Sequence, residues 1–338
     1  MNSIARLVVR APVIGLVIII FSVQTVQILG QELDWDDVTF TSIGGSDQGC
    51  VLIAGYDAFG KDFALNDCVL TQDLVYPSKT RIRDIAFTAA RDGWLAVGSA
   101  LIPFLDGKTG EPVKIGAKDR VLTAVSFFKD QFGCAITSDA DIACTRNGGK
   151  AWNVSARLPT LVAGLNIKVS SRKAAWALVN TKNSQGRIFA EIIRSGNTGA
   201  SWSSRWNSED CDLYLAGFLD DRHAWALKHE KELFVTVDGG SHWTEQKDIP
   251  AGADDAFFLN PSSGWLAAKG TLYGTLDGGQ TWKELWKYPT ANSVNPKGLV
   301  FLDAMKGWLM TLDRVYRTYD GGRSWISVDP PNFIHRQT

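Results

Sequence analysis

Chemistry in this 338-residue chain would have to come from three sets of side chains. The carboxylates Asp84, Asp255 and Asp303 sit in or beside short apolar runs, IRDIAF, DDAFFLN and GLVFLD. Two of them facing one cavity could form the acid and base pair of a glycosidase. The basic clusters Arg81 with Arg83 and Lys118 with Arg120 would attract an acidic polypeptide segment. Cys50, Cys68, Cys134, Cys144 and Cys211 could support disulfide chemistry. His223, His229, His242 and His335 show no ligand spacing and no CxxC occurs, so no metal site is assigned.

The elements that would position these groups are set by a repeat. Five times an octet returns: TRNGGKAW ending at Trp152, SGNTGASW at Trp202, TVDGGSHW at Trp243, TLDGGQTW at Trp282 and TYDGGRSW at Trp325. A short motif recurring every 39 to 50 residues marks an array of one supersecondary unit. Asn147, Asn197, Asp238, Asp277 and Asp320 can fold back onto backbone N–H groups of their own turn, and the glycines after them can take positive φ, so each octet reads as a tight corner. These acids are therefore turn scaffolds rather than catalysts, and the Trp after each corner packs against a neighbouring unit.

Upstream of each corner lies a short apolar strand round a second Trp, at Trp94, Trp176, Trp225, Trp265 and Trp308, preceded by another apolar run. Four short antiparallel strands in about 40 residues make one blade of a β-propeller. Two degenerate copies, 38–79 and 82–115, complete the count. Units beginning near 38, 82, 121, 166, 213, 255 and 298 give an all-β, single seven-bladed β-propeller over residues 31–338.

The Trp strand followed by T-x-DGG-x-TW is what Asp-box (BNR) repeats look like. The combined spacing resembles the Ycf48/HCF136-like propellers, photosystem II assembly factors and their non-photosynthetic bacterial relatives, over roughly residues 36–328. The resemblance implies a non-enzymatic scaffold that holds a membrane-protein client. Asp boxes also occur in sialidases and other glycosidases, so a carbohydrate-active enzyme or lectin on the same ring is the alternative. The sialidase constellation of an arginine triad with a Tyr–Glu pair is not found.

The N-terminus reads as an export signal. Arg6 and Arg10 precede an uncharged run from Ala11 to Gly30, with the first acid at Glu32. The 20 uncharged residues would also just span a bilayer, so an uncleaved anchor is the rival reading. Removing residues 1–30 leaves 33 basic against 36 acidic side chains, a balance that argues against a nucleic-acid partner. In an exported protein the cysteines are expected to pair. Cys134 and Cys144 are equidistant from a hairpin centred on Asp139, and Cys50 with Cys68 repeats the arrangement, leaving Cys211 over. The sequence thus leads to a monomeric, cofactor-free binding scaffold at the periplasmic or extracytoplasmic face of a membrane, where its client or an uncleaved N-terminal segment would tether it. Its partner patch is expected at Arg81, Arg83, Lys118 and Arg120.

Overall fold

The computed structural model describes residues 82–327 apart from the loop segments 90–91, 106–107, 116–119, 130, 140, 155–159, 209–212, 229–231, 290–295, 297 and 312–313, together with five short strands before residue 67. Every regular element among the described residues is a β-strand.

Six sheets of four or more antiparallel strands follow one another along the chain as blades 1 to 6. Their first strands are Ile82–Phe87, Leu122–Phe128, Leu161–Val169, Leu213–Phe218, Ala253–Phe258 and Gly298–Phe301. These pack beside one another in succession round the axis. The count of seven blades expected from the sequence is corrected to six complete blades among the described residues. The unit beginning near 38 yields only a three-stranded sheet, Thr39–Gly45, Val51–Tyr56 and Asp62–Asn66, whose first strand lies against the first strands of blades 1 and 6. Its sequence has neither the glycine pair nor the Trp that would turn the chain into a fourth strand. Blade 1, with no Asp corner, instead folds Lys108–Thr109 and Val113–Lys114 back onto Ala100–Leu105. Blade 3 begins at Leu161 rather than near 166, because its first strand runs nine residues through two register shifts.

The export-signal expectation falls on residues that lie outside the described ones, save a short antiparallel pair, Leu16–Ile18 with Gln27–Leu29.

Second strands are buried on both faces, which is why GWLAV, FGCAIT and GWLAA read as unbroken apolar runs. Their Trp residues bridge the blades. Trp94 stacks on Phe127 of the next blade at 5.7 Å, Trp176 on Phe218 at 5.4 Å and Trp265 on Phe301 at 3.5 Å. Blade 2 departs from this rule. Cys134 stands in the Trp position and Val169 in the Phe position. Cys134 lies directly opposite Cys144, with Sγ–Sγ 2.09 Å. The sulfur pair fills the space that an indole fills elsewhere. A Cβ on Gly199 of the following corner would meet Cys144 Sγ at 2.4 Å, as one on Gly149 would meet the Trp94 ring at 2.2 Å.

Candidate functional site

The corners were the first candidates for chemistry, and their hydrogen bonds show what they do. In each, a buried hydroxyl is the hub. Thr275 Oγ1 donates to Asp277 Oδ1 at 2.7 Å and accepts the Gly279 N–H at 2.9 Å, while Asp277 Oδ1 also accepts the Thr281 N–H at 2.9 Å. Thr145, Ser195, Thr236 and Thr318 repeat the arrangement with Asn147, Asn197, Asp238 and Asp320. Thr281, through its hydroxyl and N–H, and Thr275 hold the Asp277 carboxyl down at about 2. The His242 N–H and ring pull Asp238 well below the usual carboxylate range. These carboxylates are anionic acceptors committed to a turn. The corner Trp residues bind locally as well, Trp152 Nε1 donating to Gly149 O and Trp325 Nε1 to Gly322 O, and Trp243 Nε1 to Arg205 O. Trp202 and Trp282 pack into the adjoining cores.

Backbone bonds define two faces of the ring. On the lower face each corner docks on the turn between the first and second strands of its own blade, as Gly148 N–H does to Gln131 O and Gly278 N–H to Ser262 O. On the upper face the starts of the first strands meet the turns between second and third strands, as in Leu122 N–H to Gly98 O and Ser138 N–H to Val121 O.

Near that upper face the first strands share a further feature. Five of the six first strands carry a register shift, and the residue left unpaired is Arg83, Thr123, Leu165, Tyr214 or Asp254. A bulge re-aims one side chain per strand. Arg83 and Leu165 are exposed, and Thr123 and Asp254 half-buried. The ring thus presents different chemistry at one repeated position, cationic at Arg83, apolar at Leu165 and anionic at Asp254. Sequence reasoning found only Arg83 of this set. The available signal was the residue two before the apolar pair of each first strand, which varies while its neighbours stay apolar.

The residue after the bulge staples blade to blade. Asp84 Oδ2 accepts the Val125 N–H at 2.8 Å and Asn166 Nδ2 donates to Ala216 O at 3.1 Å. Asp255 accepts the N–H groups of Ala256 and of Leu299 in the next blade. Enclosure among the strands pushes Asp84 up to about 6, against the pull of the Val125 and Ile85 N–H groups and of Lys168. Enclosure likewise raises Asp255 to about 7, with Asp254 adding to the rise and the Ala256 and Leu299 N–H groups opposing it. Lys168 reaches solvent yet is crowded by protein, which lowers its ammonium pKa while Asp84 opposes the change. Asp303 is not on a first strand. It caps the turn after Phe301, accepting the Met305 and Lys306 N–H groups at 2.8 Å each.

The four expected patch residues do not all come into view. Arg81 and Lys118 lie outside the described residues. Arg120 is ion-paired with Asp141 and, at 3.6 Å, with Asp139. Arg83 remains exposed. Cys50, Cys68 and Cys211 also lie outside the described residues. Among the described residues no three His, Cys, Asp or Glu side chains converge on a point that could hold a metal ion.

Residues 200–329, spanning blades 4 to 6, match the family described as photosynthesis system II assembly factor YCF48. Among solved structures the chain is similar to YCF48 from Cyanidioschyzon merolae, at 16% identity over 84% of this chain and 96% of that one, with TM-score 0.63. It is similar also to YCF48 bound to D1 peptide, at 18% identity over 86% and 95% with TM-score 0.62. The GH74 xyloglucanase from Xanthomonas campestris shares the fold at 13% identity over 85% of this chain and 53% of that one, with TM-score 0.60. No curated protein sequence matches the chain. The family match and the shared fold make this a Ycf48-like β-propeller.

Proposed function

We propose that the protein is a non-enzymatic, exported scaffold that holds a segment of a membrane-protein subunit during assembly or maintenance of its complex, using the upper face of the ring. The observation that carries this reading is the YCF48 family match over residues 200–329, joined to a fold shared with a YCF48 structure bound to a D1 peptide. The bulge ring supports it. A position that differs in charge and polarity from blade to blade suits recognition of a heteropolymer, whereas catalysis needs converging groups of matched pKa. Of the expected basic patch, Arg83 is the member placed to meet an acidic client side chain, and Arg120 would first have to leave Asp141.

The alternative, a carbohydrate-active propeller, has one observation in its favour: Asp84 and Asp255 are carboxyls of raised pKa on first strands. Both accept an N–H from the next blade, and this use as staples accounts for their placement without a substrate. A photo-crosslinking residue at Leu165 in the native envelope should trap a membrane-protein subunit. Adducts only with glycans, or turnover of a xyloglucan or sialoside panel by purified protein that Asp255→Asn abolishes, would favour the alternative.

A further inference from the structure

On the rim between blades 4 and 5, toward the lower face, opens a groove of about 490 Å³. One wall is the outermost strand of blade 4, Thr244–Gln246, which pairs with Leu233–Thr236 on one side and with no strand on the other. Facing it are Pro261 and the corner of blade 5 with Asp277, while Val237, 59% exposed, extends the apolar lining. An edge strand offers backbone donors and acceptors to an added chain, and alternate side chains of that chain would fall to opposite sides.

Charge decides what such a chain must carry. Glu245, Asp248 and Asp277 line the groove against one ammonium, Lys247. Its only other titratable side chain, His223, is held by Asp220 at 2.8 Å. Asp277 stays anionic well below neutral pH, since its corner bonds keep its pKa at about 2. Asp277 Oδ2 accepts a single printed bond, from the Thr281 hydroxyl at 2.6 Å, and so retains acceptor capacity toward the groove.

We propose that this groove docks an extended polypeptide segment of a partner in which apolar residues alternate with lysine or arginine. The segment pairs along Thr244–Gln246, sets its apolar side chains against Val237 and Pro261, and turns its cations to Glu245, Asp248 and Asp277. Three residues of edge give about 10 Å of pairing, so the contact is short and its affinity depends on charge. It lies on the face opposite to the one proposed above, and stands or falls independently of that reading.

The probe is a fluorescein-labelled hexapeptide, Thr-Lys-Val-Lys-Val-Thr, titrated by anisotropy against the purified chain beside a control with glutamate in place of lysine. The lysine peptide should bind and the glutamate peptide should not. Binding should weaken roughly fivefold or more in the Glu245→Gln/Asp248→Asn double variant, and similarly on raising salt from about 50 to about 300 mM. Arg83→Glu, on the upper face, should leave it unchanged. A benzophenone on the same peptide should label only tryptic fragments from residues 219–280, a readout that needs no variant to fold. Equal binding of both peptides, no binding of the lysine peptide, indifference to the double variant, or labelling elsewhere would each overturn the proposal.

Discussion

The hydroxyl that begins each corner is the residue whose role the structure most enlarges. In the sequence Thr145, Ser195, Thr236, Thr275 and Thr318 look like strand ends, yet each is almost fully buried and bonded both to the corner acid or amide and to a glycine N–H. Replacing Thr275 by Val leaves the Gly279 N–H buried without its acceptor, which should cost about 1–3 kcal/mol in urea unfolding, while Thr275→Ser should recover most of it. Equal losses in both variants would mean that the methyl, not the hydroxyl, is what matters. The corner acid was legible because Asp or Asn before Gly-Gly has a local meaning. The hydroxyl was not, because its partners become visible only once the turn is closed.

At the scale of the strand and blade, two substitutions of the repeat explain each other. Cys134 with Cys144, and Val169 opposite, replace the Trp–Phe stack used at the other described blade junctions. The cysteine spacing was readable from the hairpin, whereas the matching loss of Phe at 169 needed the blade contact. Gly199 has φ +80° and no room for a Cβ, so Gly199→Ala should destabilise by about 2 kcal/mol or more, and removal of both cysteines should not restore it, since the backbone strain remains. Full recovery in that triple variant would show that only the sulfur contact forbids a side chain. Non-reducing peptide mapping of exported protein should recover Cys134 joined to Cys144.

The staples add a pH signature at the same scale. Asp84 and Asp255 have folded pKa values of about 6 and about 7, raised above the unfolded carboxylate value, so they favour the fold at low pH and that contribution is lost as pH rises through about 6 to 7. Asp277 and Asp320, held at about 2, act oppositely: their contribution is present above the unfolded value and is lost as pH falls toward 2. Stability measured by urea midpoint should therefore peak near pH 5. Asp255→Asn, which keeps an oxygen for the Leu299 N–H, should flatten the fall between pH 5 and 8. An unchanged slope would mean that Asp255 titrates normally.

For the whole molecule, the repeat made the propeller legible and miscounted its blades. The octets and Trp strands specify blades 2 to 6, and blade 1 survives without a corner because a short hairpin supplies its fourth strand. The first unit has the apolar runs but no corner, and three strands are what it forms. The candidate site was harder to read. Bulge positions depend on register between strands, so Leu165 and Asp254 carry no mark in the sequence, and Arg120 looked available because its partners Asp139 and Asp141 lie across a hairpin.

The central claim is that this upper face holds a membrane-protein client. Affinity capture from the native envelope, with mass spectrometry, should be run on the wild type, on Arg83→Glu/Leu165→Asp and on Thr275→Ser. The expected result is one integral membrane subunit recovered with the wild type and with Thr275→Ser, and at least tenfold less with the upper-face variant at an unchanged urea midpoint. Recovery of that subunit undiminished by the upper-face variant, or no membrane subunit with any of the three, would contradict it.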